Sequence, residues 1–276
     1  MKICVCLHLY YLDMIPEMKK YLCNIDEYDL YITTPAENVN NEEHILKEFS
    51  GAKIIYTNNV GFDMYPFVCF LKEVDLSSYD LIVKLHTKKD IPIEYSLNGF
   101  DLSSGWWRYY LLNPILGTKK SVKKVIKLFV KNKKVGLVGS KELLIRDSDI
   151  DKDIDMNCVN DVMNQLGLQI NKKEFIAGSI FIIRANLLLP LQKKDYKEED
   201  FPPYLPRTWN ELPYCLERCF GMMISSQGYD LVGLYSDKTK EDKVFMLKSW
   251  LKKHTPRLFS IFKKIRQMFI RKTPSS

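Results

Sequence analysis

Apolar and polar residues follow two alternating patterns along the chain. Short runs of mostly apolar residues, such as YDLIVKLH at 79–86, are typical of strands buried on both faces of a sheet. Other segments repeat their apolar residues every three or four positions. The clearest of these, SVKKVIKLFVKN, predicts an amphipathic helix capped by Ser121. The alternation predicts an α/β fold with a mostly parallel central sheet and helices on both faces.

The first seven predicted elements alternate between strand and helix. The predicted strands lie at 2–11, 28–35, 52–59, 79–86, 134–140 and 174–184. The predicted helices lie at 14–25, 41–50, 64–74, 121–132 and 212–229. In parallel sheets of this kind, ligands bind at the carboxyl ends of the strands. Polar residues close four of the strands, at 8–11, 33–34, 58–63 and 86–90, and we expect them to line one crevice.

The composition is that of an ordinary globular protein, with 46% hydrophobic residues in a chain of 276. The seven cysteines include no Cys-x-x-Cys pair, and we interpret them as small buried residues of a protein from a reducing cytoplasm. The apolar run near the N-terminus is interrupted by His8 and Asp13, which favours a buried first strand over a signal peptide. The sequence contains no stretch of about 18 apolar residues, so it predicts no transmembrane helix.

Charge divides the chain into two predicted domains, 1–242 and 243–276. The net charge is +7, yet residues 243–276 contain ten Lys or Arg and no Asp or Glu, which leaves −3 for residues 1–242. Apolar residues such as Leu258, Phe262 and Phe269 recur at helical spacing in this tail, which predicts C-terminal amphipathic helices on an anionic membrane surface. A helix packed on the domain or on a partner is the alternative. The sequence contains no base-reading module, so we do not expect the tail to bind nucleic acid.

The segment HTKKD at 86–90 follows a predicted central strand. Lys88 brings a compact positive charge and His86 can donate a hydrogen bond from either nitrogen, a combination that suits a diphosphate. A solvated junction between strand and loop is the alternative. His8 and Thr33, at the ends of two other strands, are expected in the same crevice.

The segment TNNVGFDMYPF predicts a tight turn at Asn59 and Gly61, because Gly61 can adopt positive φ. Asp63 would then begin a helix that faces the crevice. Its carboxylate would hold a ribose hydroxyl or a base edge there. Helix capping explains this Asp equally well.

Two later segments carry polar residues at apolar positions. Glu217 and Arg218 lie in an apolar helix, where an unpaired carboxylate would have the raised pKa of a general base; an internal ion pair is the alternative. Gly178 and Ser179 interrupt an apolar strand, which indicates close approach of a ligand or another backbone. Arg184 ends that strand, either solvated or within reach of a phosphate or carboxylate.

Eight segments occur in an order that resembles the rhamnan synthesis F family, bacterial cell-surface polysaccharide proteins generally regarded as glycosyltransferases. They are HLYY, YDLYITT, NVGFDMYPF, YDLIVKLHTKK, WWR, VGLVG, FIAGSIFIIR and LER, over roughly residues 1–235. Asn59, Gly61, Asp63 and Pro66 match the family's Asn-x-Gly-Arg-Asp-x-x-Pro pattern, with Phe62 where Arg is usual. The HTK segment, Gly178 and the Glu217–Arg218 pair match further family positions.

The resemblance implies a GT-A-like nucleotide-diphospho-sugar fold. It implies transfer of rhamnose or another hexose from a nucleoside diphosphate sugar to a lipid-linked cell-surface polysaccharide, with inversion and with Glu217 as the base. The expected donor-binding residues are His8, Thr33, Asn59, Gly61, Asp63, His86, Lys88 and Arg184. The expected acceptor or sugar pocket consists of Trp107, Gly178, Ser179 and Arg218.

Many enzymes of this fold hold Mg²⁺ or Mn²⁺ on an Asp-x-Asp at the strand end where this chain has His-Thr-Lys. We therefore expect His86 and Lys88 to replace the metal wholly or partly, with Asp90 as the one candidate ligand. The expected location is the cytoplasmic face of a bacterial cell membrane, as a peripheral protein. Two alternatives stay open: a non-catalytic scaffold that binds a glycan or a synthase, and a sugar-phosphate transferase.

Overall fold

The structure is a computed structural model that describes residues 1–90, 94–97, 100–146, 156–201 and 211–236, with the backbone alone for 94–97 and 100–104. The predicted membrane-associating tail at 243–276 lies outside these residues and stays a prediction. None of the helices in the described ranges is long and apolar enough to cross a membrane. The described residues form two compact units, one of residues 1–89 and 108–236 and one that includes residues 90–107.

Strands and helices alternate along the described chain. The strands are β1 (Ile3–His8), β2 (Asp29–Pro35), β3 (Lys53–Thr57), β4 (Leu81–His86), β5 (Glu94–Leu97), β6 (Phe100–Ser103), β7 (Val135–Ser140), β8 (Leu144–Arg146), β9 (Glu174–Ile176), β10 (Phe181–Arg184) and β11 (Asp230–Leu234). The α-helices are α1 (Ile15–Leu22), α2 (Glu42–Glu48), α3 (Met64–Glu73), α4 (Ser104–Leu116), α5 (Lys119–Lys131), α6 (Met156–Gln165), α7 (Leu189–Lys194) and α8 (Leu212–Ser226).

Seven strands form one sheet in the order β11-β7-β10-β4-β1-β2-β3. β10 is antiparallel to β4 and β7, and the other neighbouring strands are parallel. The chain moves outward from β1 to β3 and then returns to β4. Right-handed connections therefore place α1 and α2 on one face and α3 on the other, where α8 packs against α3. The mixed α/β class with a mostly parallel sheet is confirmed.

Two predicted elements have different bounds in the structure. The predicted strand at 174–184 is split into β9 and β10, because Gly178 (φ 90°) and Ser179 (φ 50°) are left-handed and cannot continue a strand. β9 pairs with β8 in a separate two-stranded sheet. The helix predicted at 121–132 begins earlier. Its cap is Thr118, whose hydroxyl accepts the Ser121 N–H at 3.0 Å, so the prediction of Ser121 as the cap is wrong.

The structure corrects the interpretation of all seven cysteines as small buried residues. A disulfide joins Cys158 of α6 to Cys215 of α8. Cys23 is exposed, whereas Cys4 and Cys6 are buried in β1. The first strand is therefore fully buried, as its apolar sequence predicts.

Candidate active site

The carboxyl ends of three neighbouring strands place polar side chains in one row. His8 at the end of β1 is in register with His86 of β4 on one side and with Thr33 of β2 on the other. The His8 Nδ1 atom lies 3.1 Å from the Thr33 hydroxyl oxygen. All three side chains are buried. The sheet thus brings these three predicted donor-binding residues together.

An ion pair that was not predicted from the sequence lies beneath this row. Lys84, two residues before His86, donates from its ammonium to one oxygen of the Asp63 carboxylate. The same ammonium lies 3.2 Å from the Ser179 carbonyl oxygen and 3.1 Å from the Ser179 hydroxyl. That hydroxyl donates to the same Asp63 oxygen at 2.7 Å. These bonds join β4, the start of α3 and the turn before β10 into one polar cluster.

Asp63 immediately precedes α3, but its side chain does not cap the helix. Burial alone would raise the pKa of this carboxyl group. The positive charge of Lys84 and the hydrogen bonds from Lys84 and Ser179 outweigh burial and hold the pKa of Asp63 well below its usual range. Asp63 is therefore ionised at neutral pH. Of the two explanations for this residue, helix capping is not observed.

The two histidines of the row are neutral at pH 7. Burial lowers the pKa of His8 to about 4 and that of His86 to about 3, against the opposing effect of the Asp63 carboxylate. The His86 Nδ1 atom is 3.5 Å from that carboxylate and makes no hydrogen bond within the described part of the chain. His86 can thus offer a hydrogen bond to a ligand, but not a positive charge. Of the HTK segment, Lys88 is left as the cation.

Glu217 reaches the same edge of the sheet from α8. One of its carboxylate oxygens accepts the N–H of Gly178, in the turn between β9 and β10. Burial raises the pKa of Glu217, and the Gly178 hydrogen bond and the charges of Arg218 and Lys88 oppose this shift. Burial in turn lowers the pKa of Lys88, against the charges of Glu217 and Asp63. Glu217, Asp63 and Lys88 therefore form one electrostatically coupled group.

Backbone strain is concentrated around this group. Only Phe62, Ser179 and Asp195 combine a side chain with positive φ in the described part of the chain, and the first two adjoin Asp63 and Gly178. Conformations of this kind cost about 1–3 kcal/mol each and persist where the surrounding structure enforces them. Strain at two turns that meet at one polar cluster is typical of a functional site.

The loop after β4 is tied to the loop after β1. The Thr87 N–H donates to the His8 carbonyl at 3.0 Å, and the Thr87 hydroxyl accepts the N–H groups of Tyr10 and Tyr11 at 3.0 and 3.1 Å. At the exposed rim, the Asn59 amide donates to the Tyr10 hydroxyl at 3.2 Å. The N–H and the hydroxyl of Thr87 therefore tie the HTK segment to the loop after β1.

Three predicted site residues have surroundings other than the expected pocket or lie in the second unit. Arg218 is buried, donates to the Tyr214 carbonyl at 2.6 Å and lies over the Phe175 ring of β9. It therefore packs between α8 and β9. Trp107, in α4, and Asp90 belong to the second unit, and their roles stay predictions.

Arg184 lies at the opposite edge of the sheet. Because β10 is antiparallel to β4, Arg184 pairs with Leu81 at the start of β4, roughly 17 Å from His86 at its end. Its guanidinium donates to the carbonyls of Val135 and Phe129, both at 2.8 Å, and so fastens the end of α5 to β7. The prediction that Arg184 binds the donor is therefore wrong.

The described side chains do not fit Mg²⁺ or Mn²⁺. Among them, no group of three or more His, Cys, Asp or Glu residues could hold a metal ion. Asp63, beside His86, has one oxygen bonded to Lys84 and Ser179, so it could supply a metal with its other oxygen alone. Such cations require several oxygen ligands, which this donor set does not supply.

Comparison with known proteins gives relatives and solved structures of limited similarity. "Uncharacterized protein WxcX" from two strains of Xanthomonas campestris pv. campestris is 23% identical over 234 residues, which is 82% of this chain and 32% of each relative. The chain thus spans about a third of the curated relatives it matches.

Two solved proteins match this chain at low similarity. A cytidylyltransferase from Leptospira borgpetersenii is 12% identical, with a TM-score of 0.41 over 100% of this chain and 99% of that one. S. aureus TarS 1–349 is 11% identical, with a TM-score of 0.45 over 92% and 66% of the two chains. The same TarS fragment in complex with UDP is 10% identical, with a TM-score of 0.43 over 90% of this chain and 64% of that one. A likeness of this degree does not define a shared activity.

A family match covers most of the chain. The model of the family described as "Rhamnan synthesis protein F" matches residues 1–229, which include every strand of the large sheet except β11. The residues that resemble this family in sequence, among them Asp63, His86, Gly178 and Glu217, converge at the carboxyl edge of that sheet. The chain therefore belongs to the rhamnan synthesis protein F family.

Proposed function

We propose that this protein is a GT-A-like glycosyltransferase. It moves a sugar from a nucleoside diphosphate donor to a lipid-linked cell-surface polysaccharide, with inversion at the anomeric carbon. The family's description names the synthesis of a polysaccharide, which supports this class of acceptor. The carboxyl edge of a mostly parallel sheet is also the usual place for a nucleotide in such folds.

One observation carries the proposal. The Glu217 carboxylate is held by a backbone N–H in a strained turn and is coupled to Lys88 and Asp63 at the carboxyl edge of the sheet. A part-buried carboxylate with a raised pKa beside a lysine is the arrangement that proton removal near a departing anion requires.

Each charged residue of the group has a distinct role in the proposed reaction. Glu217 removes the proton of the acceptor hydroxyl as that oxygen attacks the anomeric carbon. Lys88 offsets the negative charge of the diphosphate as it leaves. The neutral imidazoles of His8 and His86 donate hydrogen bonds. No step is routed through a metal, because the described donor set does not fit one.

A panel of nucleotide sugars tests donor chemistry first. We expect one donor to release nucleoside diphosphate when an acceptor glycan is present, and we expect release to continue within about twofold in a chelator, since Lys88 does the work of a cation. Release is followed by chromatography of the nucleotides. Release of nucleoside monophosphate would indicate sugar-phosphate transfer instead. Donor binding without any turnover would favour the scaffold, and loss of activity in chelator that Mg²⁺ or Mn²⁺ restores would contradict the metal-free mechanism.

We also propose that the protein binds the cytoplasmic face of the membrane through residues 243–276. A second basic surface among the described residues supports this partner. α5 carries six lysines and no acidic residue; all six lysines are exposed, and so is Val130, at 50%. Within the described ranges, Lys119 is the lysine of α5 that forms an ion pair, with Asp26 at 3.1 Å. Each lysine near an anionic surface contributes about 1 kcal/mol.

Membrane attachment is tested by cosedimentation with vesicles of phosphatidylglycerol or of phosphatidylcholine. We expect binding to the anionic vesicles only. Deletion of 243–276 should abolish it, and the triple change Lys120→Glu, Lys124→Glu and Lys127→Glu should weaken it by more than about tenfold. The matched control reverses three exposed lysines on other elements, Lys47, Lys173 and Lys193. Binding that survives the deletion would refute the role of the tail.

A further inference from the structure

Lys84 is an unusual core residue. Lysine is almost never fully buried unless it is paired, and Lys84 is 1% exposed in the middle of β4. The ring centroids of Phe67, Phe181 and Phe220 lie 5.3, 6.0 and 5.9 Å from its ammonium. The ammonium is thus enclosed by aromatic rings on one side and by Asp63 and Ser179 on the other.

The contacts of Asp63 within the described chain all fall on one oxygen. Oδ2 receives the Lys84 ammonium and the Ser179 hydroxyl, and it lies 3.5 Å from the His86 Nδ1 atom. The side chain nevertheless keeps 17% of its surface exposed. Oδ1 therefore stands as an accessible acceptor at the carboxyl edge of the sheet, in the electrostatic environment of Glu217.

We propose that Lys84 is a positioning residue of the donor site, whose ammonium holds one oxygen of Asp63 so that the other accepts a hydrogen bond from a hydroxyl of the nucleotide sugar. This inference rests on the proposed function and specifies the donor group that Asp63 recognises. A hydroxyl is the matching ligand, because an ionised carboxylate accepts hydrogen bonds and repels a phosphate.

Lys84 also fixes the protonation of its neighbours. With the ammonium in place, Asp63 is ionised and His86 is neutral. Without it, the buried carboxylate has no adjacent permanent cation, so the Asp63–His86 pair takes up a proton. The other titratable groups that face this pair are Cys6 and His8 from β1, Lys88 after β4 and Glu217 from α8.

The variant Lys84→Met tests the proposal, because it keeps the apolar stem and removes the charge. We expect it to bind nucleotide sugars of the panel at least tenfold more weakly than wild type at pH 8, by calorimetry. The gap in affinity between the variant and wild type should narrow as the pH falls to about 5, where a proton on His86 restores a positive charge beside Asp63. Among the four histidines of the chain, NMR titration should show the pKa of His86 raised by about one to three units.

Two further variants serve as controls. The double variant Lys84→Met with Asp63→Asn leaves no unpaired charge, so it should fold even where the single variant does not, and it should bind weakly at both pH values. Lys53→Met, at an exposed lysine of β3, should bind like wild type. Wild-type affinity in either Lys84 variant, or an unchanged His86 titration in Lys84→Met, would overturn the proposal.

The proposed function can fail separately. A wild-type protein that binds no nucleotide sugar of the panel would overturn the proposed function and with it the donor role of Asp63. The titration of His86, which needs no ligand, would then decide by itself whether Lys84 sets the charge of the cluster.

Discussion

Replacing Glu217 by Gln is expected to reduce sugar transfer by about 10²- to 10⁴-fold, the usual contribution of a positioned general base. The substitution keeps the shape of the side chain and an oxygen that can accept the Gly178 N–H, and it removes the negative charge. Donor affinity should change little, because Glu217 acts on the acceptor. Initial rates with the donor identified from the panel, together with donor binding by calorimetry, measure the two effects separately.

The pH dependence identifies the same carboxylate. Glu217 must be ionised to accept a proton, so the wild-type rate should fall as the pH falls through a pKa above the ordinary range of Glu, since burial raises this pKa. The acid limb should be missing in Glu217→Gln. An acid limb that is unchanged in the variant would assign it to another group.

The same substitution should affect stability in the opposite sense to the rate of transfer. The folded-state pKa of Glu217 lies above its unfolded value, so its contribution to stability is fully present below the unfolded pKa and is lost as the pH rises through the folded pKa. Gln resembles the protonated form. Glu217→Gln should therefore unfold at the same or a higher temperature than wild type at pH 8.

The matched control is Glu73→Gln, at an exposed residue of α3, where neither rate nor stability should change. An equal loss of rate in this control would contradict a catalytic role for Glu217.

Gly221→Ala should destabilise the fold by about 3 kcal/mol, at the upper end of the usual range for overpacking. A Cβ atom at Gly221 would lie 1.9 Å from the Glu174 carbonyl oxygen and 2.8 Å from the Phe175 Cα, both of them backbone atoms of β9. Ala is ordinarily the better helix former by about 1 kcal/mol. The close approach of α8 to β9 reverses that preference.

Calorimetry measures this loss directly. For a chain of this size, about 3 kcal/mol corresponds to a decrease in Tm of about 6–12 °C. Transfer should decrease as well, because β9 leads into Gly178, which holds Glu217. Ser226→Ala, near the end of the same helix, is the control and should stay within about 0.5 kcal/mol of wild type. An unchanged or raised Tm in Gly221→Ala would show that the helix and strand can separate without cost.

Much of the fold follows from local patterns in the sequence. Each apolar run at 2–11, 28–35, 52–59, 79–86 and 134–140 contains a strand of the large sheet, and each periodic segment contains a helix. A strand has to bury its faces and a helix its apolar stripe, so these patterns are determined within about ten residues. The alternation of strand and helix also predicted which strand ends would meet, and His8, Thr33 and His86 do lie in one row.

Tertiary structure decided the chemistry of the site. Lys84 stood out in sequence only as a polar residue in an apolar run, because its partners Asp63 and Ser179 lie 21 and 95 positions away. The direction of a strand could not be predicted either, because a run of apolar residues looks the same in a parallel and an antiparallel strand. β10 is antiparallel, which places Arg184 at the opposite edge of the sheet. The same direction places Gly178, before β10, beside Glu217. The sequence by itself determined which segments become strands and helices and which strand ends are polar. The pairing of strands across the sheet decided which charges meet, because electrostatic partners are set by distance in space and not by distance along the chain.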